Sequence, residues 1–351
     1  MDYSLVLISR NRPAFLARLL RYYARHGLRA PLHLGDASDA PQWEEVQALA
    51  REHGRALDLR LTHYGAGVPP MPRLAEEYAK VETPLVAWVA DDDFLAPPAL
   101  AAGARALGER PAAAAFAGRA ALFSVKGNGA HGALQWFGAY PQRGYAGAGA
   151  AARLLAYAHD PVPLTYALRR TALSRSIMAT VGAAGWPDDA VGYAFFEILD
   201  GMLTVVGGEV LMANEVLMVR QSHVTSYGAQ GLAEQFDFRY LSSPAWASLR
   251  DAMVEALVRA LAAAEPTLGQ DAAREAAERA LWLRTSQMWR NLALRSAPAA
   301  AGAPARPSRL DRLPFARAAY VNLKMLSAAG AAGYGALAEV KRLVEQGGNQ
   351  A

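Results

Sequence analysis

Residues 3–9, YSLVLIS, form a short apolar run closed by the polar stretch RNRP, and this pattern predicts a strand followed by a turn. Pro13 suits a first helical turn, the segment AFLARLLRYYARHG repeats apolar residues at helical spacing, and Gly27 closes it. The alternation then continues. APLHLGDASD predicts a second strand ending at Asp36, and PQWEEVQALAREHG a second helix stopped by Gly54. ALDLRLTHYG predicts a third strand, PPMPRLAEEYAKV a third helix and PLVAWVADDD a fourth strand. Regular alternation of this kind predicts a mainly parallel sheet with helices on its faces.

The middle of the chain is less regular. PAAAAFAGRAALFSV contains a strand pattern, and residues 127–151 are rich in Gly with aromatics between, which predicts a mobile loop that closes over ligands. VPLTYALRRTAL predicts a strand and a turn, AVGYAFFEILDGMLTVVGG a helix ending near its Gly pair, and EVLMANEVLMVRQSH strand-like segments. From about Pro244, Ala, Leu and Arg dominate with helical periodicity, interrupted by the Pro/Ala-rich stretch SAPAAAGAPARPSR. The expected organisation is an α/β unit over residues 1–243 and a helical C-terminal region over 244–351. Leu281, Trp282, Met288 and Trp289 are expected to pack that region onto the rest.

The composition narrows the class. A chain of 351 residues with 53% hydrophobic residues suits a packed globular protein, and no apolar run is long enough to span a bilayer. The start, MDYSLVLISRNRP, is a poor secretory signal and a good first strand. The absence of cysteine excludes disulfides and thiolate metal sites and fits a cytoplasmic protein. Net charge is +4, concentrated after residue 243, where 14 Lys and Arg face 9 Asp and Glu. A solvated helical surface accounts for such a region, which leaves room for peripheral contact with the inner membrane face or for a homodimer. No nucleic-acid partner is expected.

The candidate chemistry sits at strand ends. Asp91, Asp92 and Asp93 follow the apolar run LVAWVA, and Asp36 ends the second predicted strand. In an open parallel sheet both positions face the crevice beyond the carboxyl ends of the strands. Three adjacent acids repel one another, and burying them unpaired is costly. Such a cluster suits a hard divalent cation, Mg²⁺ or Mn²⁺, which takes oxygen ligands and bridges phosphates. Tyr166 and Trp136 are read as packing residues rather than sugar platforms.

Several segments in order carry a resemblance. LISRNRPAFLARLL, HLGDASD and GVPPMPRLAEEYAKVETPLVAWVADDDFLAPPAL resemble the family 2 glycosyltransferases of the GT-A fold, over about residues 3–225 and most closely the bacterial enzymes of surface-polysaccharide assembly. The resemblance implies a Rossmann-like α/β fold, a nucleotide-sugar donor (a UDP-sugar foremost), a divalent metal on its diphosphate, and transfer with inversion to a glycan or lipid-linked acceptor. Carried over by residue, Asp36 would touch the base and Arg73 would lie near the base or diphosphate. Asp91 or Asp92 would hold the ribose, and Asp92 or Asp93 the metal. Glu197 stands at the place of the catalytic carboxylate, with Asp200 one turn later and Asp188 and Asp189 as rivals for the base. His223, helped by Arg220, would close over the metal or diphosphate.

There are departures from the family pattern. The first strand ends Ile8, Ser9, Arg10 instead of Pro-Thr-Tyr, and the acceptor motif of processive synthases is absent, which points to a single transfer. Two other classes compete: a nucleotidyltransferase, which normally carries a Gly-rich loop that SRNRPAF lacks, and a non-catalytic nucleotide-sugar binder.

Overall fold

A computed structural model of the chain describes residues 2–140, 143–147, 149–187, 189–223, 238–296 and 335–346. Strand β1 (Tyr3–Ser9) is buried along most of its length, as befits a strand covered on both faces. Its parallel neighbours are β2 (Leu32–Asp36) and β4 (Leu85–Ala90), and β3 (Leu59–His63) extends the sheet beyond β2. The crossovers are α1 (Pro13–Arg25), α2 (Ala40–His53) and α3 (Pro70–Lys80). Each has a proline in its first turn, where a missing N–H costs nothing. The alternation read from the sequence is therefore found.

Past β4 the sheet becomes mixed. The chain passes through β5 (Phe94–Leu95), α4 (Pro97–Glu109), β6 (Ala113–Val125), β7 (Leu134–Ala139), α5 (Ala150–His159), β8 (Leu168–Arg170), α6 (Thr171–Ala183), α7 (Ala190–Gly207) and β9 (Glu209–Gln221). The strand order is β3-β2-β1-β4-β8-β6-β9-β5, with β7 paired to β6. β8 runs antiparallel between β4 and β6, whereas β9 is parallel to β6.

Three details differ from the sequence pattern. The Gly-rich segment is not a loop throughout. Gly127 (φ 89°) and Asn128 (φ 57°) turn the chain in the left-handed region, and Lys126 N–H donates to the Ala133 carbonyl at 3.0 Å. β7 then pairs with β6, with Trp136 edge-on to Phe123 at 5.7 Å. Where VPLTYALRRTAL predicts a turn after the strand, the chain enters α6, whose sequence TALSRSIMATVGA mixes small and polar residues and hides its helical period. β9 is one strand of 13 residues, and register shifts against β6 absorb its polar middle.

The helical texture after residue 243 is also found. A single turn, α8 (Phe238–Leu241), precedes α9 (Pro244–Ala264) and α10 (Gln270–Ser296). Trp246, Met253, Leu257 and Leu281 join Phe195, Leu199 and Leu154 in one core. Burying one such side chain fully contributes about 1.5–3 kcal/mol. Met288 and Trp289 pack at the edge of that core, but Trp282 is 49% exposed because it lies off the buried Leu281–Thr285 face. Helix α11 (335–346) sets Leu337, Val340 and Val344 against Leu16 and Leu20 on the other face of the sheet. Among the described residues no helix is long and apolar enough to cross a membrane.

Candidate active site

The register places Asp36 of β2 opposite Ser9 of β1, and Ala90 of β4 opposite Ile8. Asp36, Ser9 and Asp91 therefore stand side by side at the carboxyl edge of the sheet. Ser9 ties them together. Its hydroxyl donates to Asp91 Oδ2 at 2.7 Å, and its carbonyl accepts from Ala37 N–H at 3.0 Å and from Arg73 Nη1 at 2.7 Å. The two loops above these strands are latched by Asn11 in the left-handed region (φ 55°). Its amide donates to Asp39 Oδ2 at 2.6 Å, and its backbone N–H donates to Ser38 Oγ at 2.8 Å. A cavity of about 900 Å³ opens at this edge.

The acid triplet forms its floor, and each member has a different environment. Asp91 Oδ1 accepts from Arg12 Nη1 at 2.6 Å. Asp92 Oδ2 accepts from Arg12 Nη2 at 3.0 Å and lies 2.6 Å from His223 Nε2. Asp93 Oδ1 accepts from Gln221 N–H at 2.9 Å, while Arg220 Nε stands 3.9 Å from its other oxygen. Beneath them, buried Arg18 donates to the Asp92 carbonyl at 2.7 Å and to Gln221 Oε1 at 2.7 Å, and lies over the Phe94 ring.

These surroundings separate the three acids electrostatically. Burial pushes Asp91 up to about 6, with Arg12 opposing it. Burial also raises Asp92, but the hydrogen bond from His223 and the charge of Arg12 outweigh it and hold the group at about 2. Burial and the neighbouring Asp92 push Asp93 well above the usual carboxylate range. Burial lowers Arg18 to about 10, against the pull of the three acids.

The two residues expected on the nucleotide side, Asp36 and Arg73, are close but not equivalent. Arg73 lines the cavity, whereas Asp36 is fully buried behind it. Asp36 Oδ1 accepts from Ser38 N–H at 2.8 Å, and Oδ2 has no partner among the described residues. Burial raises its pKa, with the Ser38 hydrogen bonds and Arg73 opposing.

Glu197 lies on α7, across the cavity from the triplet. It makes no hydrogen bond or ion pair among the described residues, and burial raises its pKa, with Arg220 opposing. The neighbouring acids are otherwise engaged. Asp200 accepts from buried Arg169 at 2.5 Å. Asp189 caps α7 by accepting from Gly192 N–H at 2.7 Å. Asp188 lies outside the described residues. Arg220 donates to the Tyr140 hydroxyl at 3.1 Å and covers the Tyr166 ring, which stacks on Trp88 at 5.3 Å.

The expected metal set of Asp92, Asp93 and His223 is only partly assembled. Asp93 turns to Gln221 and Arg220 on β9, so it does not converge with the other two. Among the described residues no group of three or more His, Asp or Glu side chains is placed to hold a metal. Asp92 Oδ2 and His223 Nε2 do converge beside the cavity. One carboxylate and one imidazole fit a divalent cation that takes its other oxygens from a diphosphate and water.

Sequence reasoning missed Ser9, Arg12 and Arg18. One signal was available for Arg12: three adjacent acids need a cation, and the RNRP turn ends a strand on the same crevice.

No family model matches the chain, and no curated protein matches it. Among solved structures, that of S. aureus TarS 1–349 shares 13% identity at a TM-score of 0.47, covering 82% of this chain and 92% of that one. The same protein in complex with UDP-GlcNAc shares 12% identity at 0.44, with the same coverage. The mannosyltransferase PcManGT from Pyrobaculum calidifontis, in complex with GDP-Man and Mn²⁺, shares 16% identity at 0.42, covering 98% of this chain and 84% of that one. Likeness of this order carries no argument by itself, and the reading of the chain rests on the strand order and the site.

Proposed function

We propose that the chain is an inverting glycosyltransferase that moves a sugar from a nucleotide-sugar donor to a hydroxyl acceptor. The observation that carries this reading is Glu197, a carboxylate with a raised pKa and no ion pair or hydrogen bond among the described residues, which faces the same cavity as the acid triplet. The resemblance of the strand-end motifs to family 2 glycosyltransferases supports it.

The donor diphosphate enters between the first loop and β9. Arg73, Arg12 and Arg220 supply cationic donors to its oxygens, and Asp91 takes the ribose hydroxyls. Asp92 and His223 would hold a divalent cation, Mn²⁺ or Mg²⁺, which when bound neutralises charge on the departing nucleoside diphosphate. Glu197 takes the proton of the acceptor hydroxyl as its oxygen attacks the anomeric carbon from the face opposite the leaving group. The C–O bond to the acceptor forms as the C–O bond to the diphosphate breaks, so configuration inverts. Burial makes Glu197 a stronger base than an exposed Glu, which suits proton transfer near neutral pH.

The test is release of free nucleoside diphosphate from a panel of UDP- and GDP-sugars, with and without candidate glycan and lipid-linked acceptors. Glu197→Gln keeps the shape and removes the basicity. It should bind donor like the parent and react about 10²–10⁴-fold more slowly. Release of nucleoside diphosphate by the parent from none of these sugars would sink the proposal. Full activity of the Glu197→Gln enzyme would reassign the base.

A further inference from the structure

The cavity has a second wall that donor binding does not use. It is formed by α5, the loop after it, α7 and α10, where Tyr157, Pro161, Ile198, Met288 and Arg284 face the space. Arg284 and Met288 are one helical turn apart on α10, so both project from one face of that helix. The wall is apolar apart from Arg284 and the Tyr157 ring, whose ionisation burial suppresses. Arg284 makes no ion pair or hydrogen bond among the described residues, and its buried Nε has no partner. Among the described residues no carboxylate pairs with it, in contrast with Arg12, Arg169 and Arg220. An arginine kept half-buried with no counter-ion among the described residues, on the wall of the same cavity as the proposed base, is a ready fork for an oxyanion.

We infer that this wall is the acceptor subsite, and that the acceptor carries an oxyanion, a phosphate or carboxylate, which Arg284 binds while the reacting hydroxyl lies at Glu197. The inference rests on the reading of the cavity as a transfer site and adds the charge class of the acceptor. The apolar residues around Arg284 lower the local polarity and strengthen such a pairing, since charge-assisted hydrogen bonds gain most where the dielectric is low. A neutral acceptor would leave the guanidinium unpaired in the closed complex.

Calorimetric titration of the full chain with glucose 6-phosphate and glucuronate, with glucose as the neutral control, tests this. The protein is first saturated with UDP or GDP and Mn²⁺, so that the donor side is filled. The expected result is that the two anions bind and glucose does not. Arg284→Gln should weaken anion binding by about 10- to 100-fold, the usual effect of losing a charge-assisted pair. Arg284→Lys should restore part of it, and nucleotide affinity should stay within about twofold in both variants. Vesicles of phosphatidylglycerol, against phosphatidylcholine, separate a lipid-borne oxyanion from a soluble one, and Arg284-dependent binding to either supports the inference. Equal binding of every anionic probe by parent and Arg284→Gln protein would overturn it, as would binding of glucose as tight as that of the anions. If neither nucleotide binds, the donor reading fails separately, and the dependence of anion binding on Arg284 is read without it.

Discussion

Arg12 Nη1 lies 2.6 Å from Asp91 Oδ1, and the Arg12 guanidinium also reaches Asp92 at 3.0 Å. One cation from the loop after β1 thus bridges two adjacent acids at the end of β4. The guanidinium rests on the Phe15 ring, 4.1 Å from its centroid, and Phe15 in turn stacks on His223 at 5.8 Å. Without any ligand, part of the triplet's charge is balanced by the chain itself.

Arg12→Gln should therefore destabilise the fold by about 1–3 kcal/mol at neutral pH, the cost of leaving buried carboxylates without their charged partner. The loss should shrink at lower pH. Asp91 has its pKa raised to about 6, so the folded protein takes up a proton there before the unfolded chain does. Below about pH 6 Asp91 is neutral in the fold and needs Arg12 less. Asp92, held at about 2, keeps its charge and part of the loss. Denaturant unfolding at pH 5 and pH 7.5 measures the difference, and a loss that grows at pH 5 would contradict this account.

Removal of metal should act mainly through Asp92 and His223. UDP or another nucleoside diphosphate is expected to raise Tm far more with Mn²⁺ or Mg²⁺ than in EDTA, because the cation offsets repulsion between diphosphate and acids. Asp92→Asn and His223→Gln should abolish that difference. Asp93→Asn should lower Tm yet preserve it, since Asp93 is bound to Gln221 N–H on β9. Equal stabilisation in EDTA would count against a metal at this site.

The first four strands and three helices were legible because short apolar runs are punctuated by Pro13, Gly27, Gly54 and Pro70, which act locally. The place of Asp36 and Asp91–Asp93 at the carboxyl edge of the sheet was legible because they end apolar runs. Arg12, Arg18 and Arg284 were not, because a chain with 36 Lys and Arg does not reveal which of them face acids or a cavity. Arg12 meets Asp91 across 79 positions, and only folding pairs them. The β6–β7 hairpin was hidden by glycines that indicate freedom in isolation yet here shape a turn. The engagement of Asp93 with Gln221 was likewise invisible, since it depends on β9 meeting β5.

The pH profile of transfer should report Glu197. Burial raises its pKa above the ordinary value, so the rate should climb with pH along an acid limb displaced upward from an exposed Glu. Arg220 opposes that shift by favouring the carboxylate. Arg220→Gln should therefore move the limb to still higher pH, besides weakening donor binding. A limb that moves to lower pH in this variant would mean that the titrating group is not Glu197.

Asp200 provides the contrast between a structural acid and the proposed base, Glu197. It sits three residues after Glu197 on α7 and is as acidic in composition, but its role differs. Its Oδ1 accepts from Arg169 at 2.5 Å, and both side chains are almost fully buried. Arg169 also donates to Thr204 Oγ1 at 3.1 Å and to the Tyr78 hydroxyl at 3.3 Å, so the pair pins α7 to β8 and α3. Asp200→Asn leaves a buried guanidinium with neutral partners only, which should cost about 3–5 kcal/mol of stability. Replacing both partners by apolar residues, Arg169→Met with Asp200→Leu, should cost less than the sum of the two single changes, because no buried charge is left alone. Folded Asp200→Asn protein should still transfer sugar at close to the parental rate above the acid limb. Asp200 also raises the pKa of Glu197 by charge repulsion, so its neutralisation should move that limb to lower pH. Unfolding curves and a pH–rate profile on the same preparation separate the two effects. A rate loss at high pH as large as that of Glu197→Gln would show that Asp200 shares the proton transfer.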